Sequence, residues 1–370
     1  MRILFDSKAF ERPGGGIYEY AVQLVRGLHA IGEVELFAQI EAAKLPETLK
    51  GMVTPLGNFR FRGWRGWGLE GIHAEWLCRK HKIDIYHSLY YIPKPRTRIP
   101  FVAFCHDFTW ERYPEQFPNS KNGIDYLKKK SLQNADRVLC NSNSTANDCL
   151  TFLNRKQGVL VTNLGYDEKF RCISTDNGVS VQEKFKLKRP YWVFTGARYG
   201  YKNFDRLLKA FEFTNLAESY DLVCIGYHDY VSHNEKEGWA KDRESQPSYL
   251  RLLGYVSDQE RIRILQSAFA LAYPSEFEGF GIPVIEALAS GVPVLCSNTS
   301  SLPEVGGDAA VYVDPHDVED IRRGLSEVSA WTPEEREPIV KQGRVQATQF
   351  SWKRCAEETY SVYEHLLSKP

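Results

Sequence analysis

Short apolar runs alternate along the whole chain with longer stretches whose apolar residues recur at helical spacing. In the first half, Arg2–Asp6, Ile83–His87, Phe101–His106 and Arg137–Asn141 read as buried strands. Between the first two, apolar residues fall at Ile17, Tyr20, Ala21, Leu24, Val25, Leu28 and Ile31, the period of a helix. A second series begins at Tyr191–Thr195 and continues through Asp221–Gly226, Ala268–Tyr273, Val292–Cys296 and Ala309–Val313, with helical patterns between. Strands that alternate with helices in this way predict α/β architecture with parallel sheets. The polar stretch from about Asp167 to Pro190 is the best candidate linker, and His228–Gln246 interrupts the second series as a polar insertion expected on the surface. Ser351–Leu367 is again helical, and its place at the chain end suits a return across the domain junction. The expected layout is one α/β domain over 1–170, a second over 171–350, and a helix at 351–370 returning to the first.

Composition narrows the class. A chain of 370 residues is long enough for two to three domains, and 43% hydrophobic with 25% charged residues is ordinary for a globular enzyme. The 13% aromatic content argues against disorder. Lys and Arg number 47 and so do Asp and Glu, a balance that argues against a nucleic-acid partner. No apolar run approaches the roughly 18 residues of a membrane span, and the first residues run straight into a strand-like segment. The expectation is therefore a cytoplasmic protein without a signal peptide. Eight scattered cysteines show no C-x-x-C spacing, so reduced core thiols are expected and a zinc site is not.

The richest segment is Tyr273-Pro-Ser-Glu-Phe-Glu-Gly-Phe-Gly-Ile-Pro-Val-Ile-Glu-Ala-Leu-Ala-Ser-Gly-Val-Pro-Val294. It reads as strand, glycine loop and helix. Pro283 suits the first helical turn and Gly291 the position just past the helix end. Gly279 and Gly281 let backbone approach a ligand closely, and the helix N-terminus beyond them favours an anion. Glu278 and Glu286 flank the turn and reach one ligand from different sides. A generic strand–turn–helix with solvated carboxylates is the plainer alternative.

This segment resembles the E-x7-E motif of the retaining family 4 glycosyltransferases, whose GT-B fold pairs two Rossmann-like parallel-sheet domains facing a central cleft. The likeness extends to Leu253-Gly-Tyr-Val-Ser-Asp258, Ser300-Ser-Leu-Pro-Glu-Val-Gly-Gly-Asp308 and Val313-Asp-Pro315. The resemblance implies that Glu286 holds the nucleotide ribose. It also implies that Glu278, with Gly279 and the amides near Phe280 and Gly281, holds the donor sugar beside its diphosphate. Residues around Gly254–Val256, including Tyr255 and Val256, would face the base.

A second constellation is Phe194-Thr-Gly-Ala-Arg-Tyr-Gly-Tyr-Lys-Asn203, a strand running into a glycine turn that carries Arg198 and Lys202. Two cations suit a departing nucleotide diphosphate, because charge grows on its oxygens as the glycosidic bond breaks. The family shows a similar basic pair, although the spacing here departs from its common forms. In the first half, Pro13-Gly-Gly-Gly-Ile-Tyr18 resembles the family's glycine-rich first loop, with Gly15 and Gly16 toward the donor phosphate or the acceptor. His106 and Asp107 end a strand and so fall at a sheet edge; the family often carries His at this place, near the donor sugar. Asn141-Ser-Asn-Ser-Thr145 resembles another family segment and reads equally well as a helix cap.

No Asp-x-Asp occurs in the chain, so no metal site and no cofactor are expected, and the positive charge falls to Arg198, Lys202 and a helix terminus. Phe59-Arg-Phe-Arg-Gly-Trp-Arg-Gly-Trp67 concentrates arginine among aromatic residues. It reads either as a peripheral contact with anionic lipid or as a loop packed on its own domain. The expected activity is transfer of a hexose from a nucleotide diphosphate sugar to a hydroxyl of a glycan or lipid-linked acceptor. GDP-mannose is the first guess for the donor, because His106–Phe117 resembles bacterial polysaccharide mannosyltransferases, and UDP-glucose and related donors follow closely. The rivals are an epimerase or phosphorylase on the same fold, and a non-catalytic subunit that binds nucleotide sugar.

Overall fold

The computed structural model describes residues 1–6, 8–11, 13–57, 64–92, 94, 97–117, 124–171, 180–198, 200–226 and 247–368, with backbone alone over 64–70. The chain divides into two compact units, Met1–Gly165 with Ser351–Pro370, and Tyr166–Phe350.

The first unit is built on β1 (Arg2–Phe5), β2 (Glu35–Ala38), β3 (Val53–Pro55), β4 (Ile85–Ser88), β5 (Phe101–Cys105), β6 (Arg137–Cys140) and β7 (Val159–Val161). They lie in the order β3-β2-β1-β4-β5-β6-β7, and every pairing is parallel. The second unit holds β8 (Tyr191–Thr195), β9 (Asp221–Ile225), β10 (Leu250–Gly254), β11 (Ala270–Tyr273), β12 (Val294–Ser297) and β13 (Ala310–Val313). Their order is β10-β9-β8-β11-β12-β13, again parallel throughout. Both sheets thus have the doubly wound order in which the chain reverses direction across the sheet, between β1 and β4 and between β8 and β11. A ligand site is expected outside the carboxyl ends of the strands at such a reversal. The α/β, GT-B class expected from the sequence is the class observed.

The strands read from the sequence are present within one or two residues. Four further strands, β2, β3, β7 and β10, escape that reading; three of them have only three or four residues. The apolar stripe from Ile17 to Ile31 forms a helix over Gly16–Ile31, and Tyr20, Leu24, Val25 and Leu28 are buried. Ser351 caps the Trp352–Leu367 helix, its side chain accepting from the Arg354 N–H. These two helices cross closely at Gly27, where an added Cβ would lie 2.5 Å from the Ala356 Cβ. Hydrogen at this position is what permits the approach, and it ties the chain's last helix to its first.

The polar stretch read as a linker contains a short 3₁₀ turn at Glu168–Phe170 and a one-turn helix at Val181–Lys184 closed by a Ser180–Glu183 capping box. The expected insertion His228–Gln246 lies outside the described residues, as do residues 59–63 of the arginine–aromatic cluster. Seven cysteines are buried and unbridged; Cys172 is outside the described residues. No described helix is long and apolar enough to cross a membrane.

Candidate functional site

The second unit brings two of the predicted residues into contact. After β8 the chain passes Gly196 and Arg198, makes one 3₁₀ turn over Gly200–Lys202 and enters the Phe204–Phe213 helix through Asn203. Asn203 adopts left-handed backbone (φ 62°), which asparagine tolerates better than most residues. Its side chain donates to the carbonyls of Pro274 at 2.9 Å and Pro315 at 2.6 Å. Arg206 Nη1 then donates to the Asn203 side-chain oxygen Oδ1 (2.7 Å) and to the Glu276 carboxylate (2.6 Å). The Glu276 N–H donates to the Tyr201 carbonyl at 2.7 Å. These bonds clamp the loop after β8 to the loop after β11.

Across that clamp Lys202 Nζ donates to both oxygens of Glu278, at 2.7 and 2.9 Å, and lies 3.4 Å from the Tyr273 hydroxyl. The pair is nearly enclosed, with side-chain exposures of 15% and 11%. Burial works against the Lys202 charge, but Glu278, with Tyr273 and Tyr201 behind it, outweighs burial and holds the ammonium well above the ordinary lysine value. Burial, reinforced by Glu278, raises the Tyr273 hydroxyl as well. Arg198, on the same loop, is buried.

Glu278 is also fixed through its backbone. Its N–H donates to the Ser300 hydroxyl at 3.0 Å, and Ser301 donates to the carbonyls of Glu278 (2.9 Å) and Phe280 (2.7 Å). Ser300 itself has φ 53°, a costly conformation for serine that the surrounding bonds sustain. Gly281 then caps the Ile282–Ser290 helix at φ 113°, with Pro283 in its first turn and Gly291 in left-handed conformation at its end. A side chain at Gly281 would meet both a disallowed φ and Leu302 Cδ2 at 2.8 Å. The amides of Gly279 through Gly281 thus lead into the positive end of a helix, and Phe280 is anchored beneath by an edge contact with Phe350 at 5.6 Å.

Glu286 is held by a different cation. It is buried in the helix, and Arg261 Nη1 contacts its two oxygens at 2.6 and 2.5 Å. At the end of β10, Gly254 turns the chain at φ 67° and leaves Tyr255 76% exposed and Val256 half-buried.

His106, Gly15 and Gly16 belong to the first unit. Gly15 (φ 82°) is the N-cap of the Gly16–Ile31 helix. His106 is buried among the rings of Tyr20, Phe104, Tyr90 and Tyr91 and donates Nε2–H to the Leu89 carbonyl at 2.9 Å. Burial, against the pull of that carbonyl, lowers it to about 4, so near neutrality it is a neutral imidazole with its lone pair on Nδ1. Asp6, read from sequence only as a strand end, braces this edge. It accepts from the N–H groups of Leu89 at 2.7 Å, Tyr90 at 3.1 Å and Lys8 at 2.9 Å. Ser142 resolves as the cap of the Asn143–Leu153 helix, accepting from the Thr145 N–H. Sequence reasoning also missed Arg261 and Tyr273. Among the described residues no three His, Cys, Asp or Glu side chains are grouped as metal ligands.

Residues 179–346 match the family described as "Glycosyl transferases group 1", and residues 14–168 match "Glycosyltransferase Family 4". The chain is 29% identical to O-antigen chain mannosyltransferase B of Escherichia coli, over 99% of this chain and all of that one. It is 28% identical to O-antigen chain mannosyltransferase RfbU of Salmonella typhimurium, covering 83% of this chain and 85% of that one. Its backbone superposes on the crystal structure of Anabaena Alr3699/HepE in complex with UDP-glucose with a TM-score of 0.74, at 16% identity, over 99% and 100% of the two chains. Two parallel sheets of this order, and family matches that between them span most of the sequence, converge on one assignment: the chain belongs to the family 4 glycosyltransferases of GT-B fold.

Proposed function

We propose that this glycosyltransferase moves a mannosyl group from GDP-mannose to a hydroxyl of a glycan or lipid-linked glycan, with retained configuration and without a metal ion. The observation that carries the donor half is the Lys202–Glu278 contact, where the loops after β8 and β11 meet beside a glycine-capped helix N-terminus. As the bond from the anomeric carbon to the diphosphate oxygen breaks, negative charge grows on that oxygen. Lys202 and Arg198 stabilise it, and the amides at Gly279–Gly281 add fixed partial charge. Glu278 orients the sugar and holds Lys202 in place. Glu286 receives the ribose hydroxyls, and Tyr255 with Val256 meets the base. Within the first unit the candidate residues are His106, as a neutral hydrogen-bonding group, and the backbone of Gly15 and Gly16.

The sugar assignment is supported by the two O-antigen mannosyltransferases, one of which aligns from end to end. The UDP-glucose bound by the Anabaena protein supports the substrate class, and names the donor that must be tested against GDP-mannose. The decisive assay follows diphosphate release and product formation with each donor on a glycan acceptor, with the anomeric configuration read by NMR. Turnover with UDP-glucose and none with GDP-mannose rejects the donor assignment. Absence of transfer and of donor hydrolysis with every nucleotide sugar favours the non-catalytic subunit.

The proposed location is cytoplasmic and peripheral to the membrane, with contact through Phe59–Trp67. Its support is the helix Trp64–Lys80, which exposes Ile72 and Trp76 one turn apart, with Lys80 Nζ 4.5 Å from the Trp76 ring centre. Flotation with anionic and zwitterionic liposomes at low and high salt tests it; equal failure to bind both rejects it.

A further inference from the structure

Glu286 lies in the second turn of the Ile282–Ser290 helix with 5% of its surface exposed. A carboxylate so enclosed is costly unless a cation meets it. Arg261, from the neighbouring Asp258–Gln266 helix, supplies one, its Nη1 lying within 2.6 Å of both oxygens. The guanidinium is itself held. Its central carbon lies 5.1 Å from the Phe170 ring centre, and the Lys169 and Phe170 carbonyls accept from Gln266 Nε2, each at 3.1 Å. The helix that carries Arg261 and Gln266 is closed at its start by a Ser257–Glu260 capping box, and Lys184 pairs with Glu260 at 2.6 Å. Arg261 is therefore braced at its base, along one face and at its tip.

We infer that Arg261 is a positioning residue for the nucleotide ribose, fixing the plane and the charge of the Glu286 carboxylate that receives it. The inference rests on the reading that Glu286 binds the ribose. Arg261 Nη1 meets both oxygens, so it fixes the plane of the carboxylate that faces the ribose diol. Without Arg261 the carboxylate loses its counter-charge and its fixed orientation, and the diol loses a preorganised acceptor. The phosphates, the sugar and the base do not depend on this pair.

The test measures equilibrium binding of GDP and UDP, each beside its 2′,3′-dideoxy analogue, to the wild type, Arg261→Met, Arg261→Lys and Glu286→Gln. Thermal unfolding is recorded for each protein. For whichever nucleotide the wild type binds, the ribo form should bind tighter than the dideoxy form, and Glu286→Gln should abolish the difference. Arg261→Met should weaken the ribo form about tenfold, the lower end of what losing an orienting partner costs a metal ligand, and leave the dideoxy form within about twofold. Arg261→Lys should recover part of the ratio, which a purely structural role for the guanidinium would not produce. If Arg261→Met keeps the full ratio while Glu286→Gln loses it, the role of Arg261 is overturned and the ribose reading stands. An equal loss for both forms, or tighter binding of the ribo form, likewise overturns it. If Glu286→Gln keeps the ratio, the ribose reading itself falls and the inference with it.

Discussion

Lys202 reaches both carboxylate oxygens of Glu278, at 2.7 and 2.9 Å, so two side chains separated by 76 positions in the chain act as one charged unit. The loops that present them are clamped together by Asn203, Arg206 and the Glu276 amide, which leaves the pair little freedom to part. Lysine has three donors: two meet Glu278 and the third faces the Tyr273 hydroxyl at 3.4 Å, the longest of the three contacts.

Coupling of this kind predicts non-additive kinetics. Lys202→Ala and Glu278→Ala should each lower kcat by on the order of 10²-fold or more, as when one transition-state donor is removed. The double variant should be no worse than the weaker single variant by more than a few-fold, because either substitution already dismantles the unit. Steady-state kinetics on the three proteins decide it; losses that multiply would mean the two residues act independently.

Glu286 is expected to fail in a different way. Its partner is Arg261 rather than Lys202, and a ribose contact is similar in the ground and transition states. Glu286→Gln should raise the donor KM about tenfold or more while kcat stays within a few-fold. Glu278→Gln should depress kcat. Matching profiles for the two variants would reject the division of roles.

The proposed leaving-group chemistry relies on Lys202, Arg198 and helix-terminal amides, so a divalent ion has no assigned task. Transfer should proceed at the same rate in excess EDTA, and added Mg²⁺ or Mn²⁺ should change it by less than about twofold, since a metal acting as Lewis acid is worth several kcal/mol. Loss of activity in EDTA that Mg²⁺ or Mn²⁺ restores would refute the metal-free assignment.

Much of this was legible in the sequence because the motifs are local. Pro283, Gly281 and Gly291 punctuate one helix, and each occupies the position its chemistry suggests. Buried parallel strands announce themselves as continuous apolar runs, which is how β1, β5, β8 and β11 were found. Strands of three residues such as Val53–Pro55 and Val159–Val161 carry too little pattern to read. The partners of the motif residues were illegible for a different reason. Arg261 sits in a helix whose charged residues look like an ordinary solvated face, and only the packing of that helix against Ile282–Ser290 turns one of them inward. Asp6 and Leu89 are joined through a backbone amide, and sequence patterns are silent about such bonds.

Two buried histidines of the first unit give the last prediction, which concerns stability. His87 is fully buried against the Tyr363 hydroxyl of the chain's last helix, and burial, with His106 nearby, lowers it to about 3. His106 is lowered to about 4, again by burial first. In the unfolded chain both titrate near 6.5. Their contribution to stability is therefore complete above about pH 6.5 and is lost as pH falls toward the folded values, because the unfolded chain then binds more protons. Each proton is worth about 1.4 kcal/mol per pH unit, so near pH 5 the pair should steepen the loss by roughly 2 to 3 kcal/mol per unit. Asp6, whose carboxyl burial raises, works in the opposite direction, so the total slope is not a clean readout. The difference between the wild type and His87→Asn is clean. Urea unfolding from about pH 4.5 to 7 should give the variant a slope shallower by about 1.4 kcal/mol per unit near pH 5, whatever its stability at pH 7. Parallel curves for the two proteins would mean that His87 titrates in the folded chain as it does in the unfolded one.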